Sequence, residues 1–226
     1  MKAIISLLIL FLIPLAIAAQ EFTLPAASSF EELRVAGNIH LELVASDSNF
    51  LKFEGEDEAE KLNISWGKGV LSLKTPTELK KSPAIRVKLY CAELAGLEIT
   101  RGAVVQSADT LKAGTLALKV DTGGKAEFSI SSDSISARVI KGSDIILRGN
   151  TGSLSVTANS AGNFLGYELE AEKAWVRSNT GAQVKVNSSE YLNAYSSGGA
   201  FVGYRGNPKQ KEFKNSLGGD ITQEKQ

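Results

Sequence analysis

Between residues 97 and 221 apolar and polar positions alternate in short runs, each run stops at a pair of small residues, and the arrangement recurs. The pairs are Gly123-Gly124, Gly142-Ser143, Ala161-Gly162, Gly181-Ala182, Gly198-Gly199 and Gly218-Gly219, with steps of 19, 19, 20, 17 and 20 residues between first members. Three residues after each first member stands an apolar residue: Ala126, Ile145, Phe164, Val184, Phe201 or Ile221. Five residues before it stand Leu118, Ala137, Val156, Val176 and Phe213, with Asn193 the exception. A fixed period near twenty residues with one apolar signature per repeat is the mark of a solenoid.

The alternation has a period of two, which places each run in a half-buried strand. Residues 116–120, 134–139 and 154–156 show it most clearly, and the apolar spacing of an amphipathic helix is not found. The small pairs mark sharp bends, where glycine accepts a positive φ without steric cost. They do not follow the spacing of a phosphate-binding loop, so corners are the better reading. Two strands and two bends in about twenty residues predict one coil of a parallel β-helix, with coils about 4.8 Å apart. Leu118, Ala137, Val156 and Val176 then form one inward ladder, and Val120, Val139 and Ala158 another.

Three stretches resemble a known family. Residues 30–43 look like the start of the auto-transporter adhesin head GIN domain, and residues 85–90, leading to Leu94 and Leu97, like its first regular coil. Residues 202–208, followed by 216–221, look like its end. The likeness covers residue 30 to the end of the chain. It implies an all-β, right-handed parallel β-helix of the kind common in exported proteins of Bacteroidetes. The family brings no ligand residues to carry over.

Residues 1–19 read as a signal peptide: Lys2, an apolar run from Ala3 to Leu15, and Ala16-Ile17-Ala18 as the cleavage pattern after Ala18 or Ala19. The run is shorter than the roughly twenty residues of a spanning helix. No cysteine follows it for lipid attachment. Residues 20–226 are then one β-solenoid domain, with an irregular part at 30–96 and regular coils at 97–222. Within the irregular part, residues 64–66 and 70–73 predict a hairpin around Gly67-Lys68-Gly69. Residues 54–61 read as a helical turn or loop, and 75–83 as a loop. The protein is expected to be exported to the periplasm, cell surface or medium, without a transmembrane segment.

Charge changes the picture only by exclusion. The chain carries 25 basic and 25 acidic residues, and loss of Lys2 leaves one cation fewer than acids. Such a balance gives no footprint for nucleic acid. Cys91 is the single cysteine and its apolar neighbours predict a buried thiol. One Cys and one His, His40, are too few for a zinc site. Gly218-Gly219-Asp220 lacks the nine-residue period of calcium-binding repeats. No cofactor is expected.

The acids Asp109, Asp121, Asp133, Asp144 and Asp220 fall at different coil positions, so no carboxylate pair can be placed for glycoside chemistry. Aromatics are the uneven feature: Tyr191, Tyr195, Phe201 and Tyr204 crowd two coils, with Trp175 one coil earlier. Tyr195 and Phe201 are expected to fill core ladders. Trp175, Tyr191 and Tyr204 either shield an end or form a platform for a sugar or protein partner. The reading is a non-enzymatic, adhesin-like or envelope-binding module acting through its outward strand faces. The alternative is a carbohydrate-active β-helix enzyme acting on polysaccharide, and a third reading is a purely structural or regulatory envelope protein. Expected partners are a glycan or envelope protein, and the C-terminal end of the solenoid is expected to be either frayed or sheltered by a partner such as a second copy. Ser178, Asn193 and Asn215 are expected to weaken the ladders there.

Overall fold

A computed structural model describes residues 21–23, 30–55, 58–76 and 83–225. The signal-peptide segment, most of the 75–83 loop and two residues of the 54–61 run lie outside them. Among the described residues seventeen strands account for the fold. The first nine are short: β1 Glu21–Thr23, β2 Glu32–Ala36, β3 Ile39–Ala45, β4 Phe50–Phe53, β5 Asn63–Gly67, β6 Val70–Lys74, β7 Ile85–Cys91, β8 Gly96–Thr100 and β9 Val104–Ser107. The next five are long: β10 Leu111–Val120, β11 Lys125–Ile140, β12 Asp144–Asn159, β13 Asn163–Asn179 and β14 Gln183–Ser197. The chain ends with β15 Phe201–Arg205, β16 Gln210–Ser216 and β17 Asp220–Gln223. A 3-10 turn, Ala59–Lys61, interrupts them.

The strands stack in parallel as a β-solenoid with two faces. On face A, β6, β2, β8 and β10 are followed by the second halves of β11 to β14 and then β16. On face B, β7, β3 and β9 are followed by the first halves of β11 to β14, then β15 and β17. Alternate side chains meet between the faces, and one apolar cluster runs from Phe30 to Tyr204. The predicted ladder extends beyond the regular coils, through Leu71, Leu33, Leu97, Leu118, Ala137, Val156, Val176 and Ala194. Every member is at most 3% exposed. Full burial of a Val or Leu contributes about 1.5–3 kcal/mol each, so the ladder is a main source of stability.

One corner of each coil is tight. Thr122-Gly123, Lys141-Gly142, Ser160-Ala161, Thr180-Gly181, Gly198-Gly199 and Leu217-Gly218 all have two successive residues at φ between 47° and 76°. The left-handed pair is therefore the first small residue and the one before it, except at Gly198-Gly199. The second small residue is small for another reason, the coil beneath it. A Cβ on Gly162 would lie 2.5 Å from the Val139 carbonyl oxygen, and one on Gly219 would lie 2.4 Å from that of Ser196. The other corner does not break strands β11 to β14. Serines and threonines carry it in β11, β12 and β14, with Ser131 Oγ 3.0 Å from Asn150 Oδ1 and Ser132 Oγ 3.1 Å from Thr151 Oγ1, whereas β13 passes it at Ala171.

The phase of the penultimate coil differs from the sequence reading. Gly199, not Gly198, is equivalent to Gly181, so Ala194 and Val202 are the inward residues and Asn193 and Phe201 point out. Tyr195 also faces outward, in register with Arg177 and Lys214. Neither Tyr195 nor Phe201 fills a core ladder. Ser178 and Ser196 are inward and buried, yet satisfied: their hydroxyls donate to the corner carbonyls of Ala182 and Ala200 at 3.1 and 2.8 Å.

In the irregular part the strands form, but not in stacking order. The β2–β3 coil lies between the later coils β6–β7 and β8–β9, so Leu33 pairs with both Leu71 and Leu97. Antiparallel strands close this end: β5 against β6, β4 against β7, and β1 against β4. The predicted hairpin is β5–β6, with Lys68 and Gly69 at φ 52° and 76°, the pair of positive angles a two-residue type I′ loop requires. Cys91 is buried, and desolvation pushes its thiol up to about 12.

Candidate functional site

Outward residues form straight rows along the solenoid, because neighbouring coils are in register. Trp175 stands in the face A row Ser136, Ser155, Trp175, Asn193, Glu212. It is 41% exposed, large for an apolar ring on a strand. Tyr191 belongs to the adjoining row, in register with Lys173, and its ring centroid lies 5.5 Å from that of Trp175 at a tilt of 48°. Within the Trp175 strand, Lys173 and Arg177 are the next outward residues on either side, and both are exposed. The result is a tilted aromatic pair on a flat sheet, flanked by two cations.

Tyr204 does not join it. It is 6% exposed and packs inside the last coils, 5.2 Å from the Phe213 ring, with its hydroxyl 3.2 Å from Gln223 Oε1. Parity explains this: Tyr204 follows Val202 by two residues and continues the inward column of Val186.

Face B carries a feature that the sequence reading missed. In β13 the register against β14 skips from Gly166 to Glu170, leaving a bulge at residues 167–169. Bulges re-aim side chains, and here Tyr167 lies across the face. The Arg205 guanidinium is 4.2 Å and Lys185 Nζ 5.4 Å from its ring centroid. Its hydroxyl reaches over Gly203, where a Cβ would come within 2.2 Å of it. Burial, with the nearby Glu224 carboxylate, raises the Tyr167 phenol above its ordinary range. Beside it Ile146, Leu165 and Lys185 line a shallow depression of about 220 Å³ with Arg148, which is held by Glu168 at 2.8 Å and Glu127 at 3.3 Å. The legible signal was Ile146 and Leu165, two apolar residues at outward positions of consecutive coils.

Acids and bases from adjacent coils also meet near the N-terminal end of face B. His40, Glu42, Glu54, Arg86 and Lys88 line a depression of about 230 Å³. Lys88 Nζ and Glu42 form an ion pair at 2.8 Å, and the hydrogen bond to Glu42 raises the Lys88 pKa. No hydroxyl or thiol side chain lines this depression. Among the described residues no cluster of three or more His, Cys, Asp or Glu side chains could hold a metal ion. No helix of the described residues is long and apolar enough to cross a membrane.

An apolar cleft of about 330 Å³ opens beside the loop that joins β7 to β8. Leu94, Leu97, Leu111, Leu116, Phe128 and Ile130 line it, with Lys112 and Glu93 among its few charged residues.

Solved structures share this fold. An adhesin described as putative from Bacteroides fragilis aligns with a TM-score of 0.79 at 15% identity, over 91% of this chain and 96% of that one. A putative adhesin from Parabacteroides merdae aligns at 0.67 and 14%, over 92% and 96%. A putative lipid binding protein from Parabacteroides distasonis aligns at 0.61 and 16%, also over 92% and 96%. No protein with a curated description is similar in sequence. Residues 29–208, coil after coil with the tight corners described above, match one family throughout, and the chain belongs to the putative auto-transporter adhesin, head GIN domain family.

Proposed function

We propose that this chain is an exported, non-catalytic binding module that holds a glycan or envelope partner against face A. The observation that carries the reading is the Trp175–Tyr191 pair, with Trp175 exposed and Tyr191 half-buried beside it, on a hydrogen-bonded sheet between Lys173 and Arg177. Aromatic faces bind the apolar faces of sugar rings or partner side chains, and flanking polar groups fix orientation. A sheet whose every coil is hydrogen-bonded above and below loses little conformational freedom on binding. The adhesin-like family supports contact rather than turnover as the role. The test is a glycan array and surface-capture assay with the wild type and with Trp175→Ala and Tyr191→Ala. Ligand retention that falls about tenfold or more in both variants, at unchanged melting temperature, supports the reading. Retention that ignores both substitutions sinks it.

The apolar cleft favours a second reading, in which a single acyl chain is held beside the β7–β8 loop. Its volume is at the lower end of the roughly 300–1,000 Å³ of small-molecule sites, enough for one slender ligand. A structural neighbour is described as a putative lipid binding protein. A fluorescent fatty acid displaced by unlabelled oleate, and excluded by Leu111→Trp, would support it. A signal that survives Leu111→Trp would place the fatty acid elsewhere.

A further inference from the structure

From Arg138 onward the row beside Trp175 repeats every two coils; Lys119, one coil before Arg138 in the same row, pairs with Glu98 instead. Arg138, Thr157, Arg177, Tyr195 and Lys214 are successive register partners on face A. A cation therefore alternates with a hydroxyl-bearing side chain, and like charges recur at about 10 Å, twice the coil rise. All three cations are exposed and none has an acid within ion-pair distance among the described residues. Elsewhere cations are neutralised: Lys119 on face A by Glu98 at 2.6 Å, Lys125 on face B by Glu127 at 2.8 Å, and Lys209, just before β16, by Glu190 at 2.8 Å. The row thus becomes uncompensated where it passes the aromatic pair. On the side of Trp175 towards the N-terminal end, Ser136 and Ser155 are short and leave the sheet open to close approach.

We infer that face A binds an acidic polysaccharide laid along the solenoid axis, with one anionic sugar at each of Arg138, Arg177 and Lys214. This rests on the proposed role of the Trp175–Tyr191 platform and names its ligand class. The neutral sugars between the anionic ones lie over Thr157 and Tyr195, where a hydroxyl and a ring face meet them. A glycan with one carboxylate or sulfate per disaccharide repeats its charge at nearly the two-coil interval, so all three cations engage one chain in register. Guanidinium groups present paired N–H donors to a carboxylate or sulfate, which suits Arg138 and Arg177. An acidic polypeptide has no fixed interval of this kind and lacks the ring faces that Tyr195 and Trp175 meet.

The test is affinity electrophoresis and calorimetry of the mature chain with hyaluronan oligosaccharides, dextran and poly-L-glutamate. Hyaluronan, with one carboxylate per disaccharide, is expected to bind, weakening as salt rises, while dextran and poly-L-glutamate are not retained. Arg138→Ala, two coils from Trp175, and Lys214→Ala, two coils on the other side, should each weaken hyaluronan about tenfold or more. Arg138→Lys should restore part of the loss. All these positions are exposed, so melting temperatures should not move. Equal retention of poly-L-glutamate or dextran overturns the inference, as does hyaluronan binding unchanged by both alanine variants. Trp175-dependent binding of a neutral glycan alone would end this inference and leave the binding-module reading standing. Absence of any glycan or partner binding would end both.

Discussion

At Ala161 the chain adopts a left-handed conformation without glycine: Ser160 and Ala161 have φ of 50° and 58°. An L-residue there costs about 1–2 kcal/mol. Ala161→Gly should therefore stabilise the fold by about 1 kcal/mol in urea, less a part for the freer unfolded chain. Its neighbour behaves oppositely. Gly162→Ala places a methyl 2.5 Å from the Val139 carbonyl oxygen and should destabilise, although the two residues are adjacent in one corner. Inward and outward positions differ as sharply on a strand. Val156 is 1% exposed between Ala137 and Val176, and Val156→Asp leaves an unpaired carboxylate in an apolar column, costing several kcal/mol. Ser155→Asp, one residue away on the open face, should leave the melt near that of the wild type. Equal melts for the two would reverse the assignment of the ladder. Cys91 gives a probe of the same interior: its thiol, raised by burial to about 12, should react with maleimide only on unfolding.

Strands and tight corners were legible because period-two alternation and left-handed turns leave direct marks on residue type. The ladder from Leu118 to Val176 follows from counting alone. Counting slipped at Gly198-Gly199, where two glycines occupy the left-handed pair and the reference residue moves by one. The shift by one exchanges inward and outward positions, so Asn193 and Phe201 face out where counting from Gly198 places them inward. The stacking order of β2–β3 between β6–β7 and β8–β9 was not legible, since all these strands alternate alike and alternation encodes face, not neighbour. Trp175 and Tyr191 were found as crowded aromatics, whereas Tyr204 is separated from them only by parity. Tyr167 is not legible, because its placement depends on a bulge at residues 167–169 that leaves no composition signal. Gly203→Ala tests that element: the added methyl displaces the Tyr167 ring from Arg205 and should lower the melting temperature. Acid tests the ion rows of face B. Hydrogen bonding from Lys125, aided by Arg148 and opposed by burial, holds the Glu127 carboxyl below its usual range. Its stabilising contribution is thus present above the unfolded value, about 4.3, and is lost as pH falls through the lower folded value. Glu127→Gln should flatten part of the acid limb of a melting-temperature curve and leave the neutral plateau lower.

The two ends of the molecule are finished differently. At one, antiparallel β5, β4 and β1 cover the parallel stack and complete its hydrogen bonds. At the other, β16 and β17 pair on one edge only among the described residues. The inward column changes chemistry on the way there, from Val139 and Ala158 to Ser178, Ser196 and Asn215. Lys211 follows Leu192 and Gln223 follows Tyr204 in the same manner. A solenoid's terminal repeat needs a polar outer surface, and lysines on an edge strand discourage pairing with another chain. Phe213, 44% exposed against the Tyr204 ring, is the apolar exception. We therefore expect a monomer in light scattering and early opening of this coil. In hydrogen exchange, peptides covering β16 and β17 should lose protection well before those covering β12, which has a hydrogen-bonded neighbour on both sides. Protection of β16 equal to that of β12 in a monomer would show that the polar coil is as firmly held as the core. Dimers with such protection would show that a second copy overcomes the lysine-bearing edge.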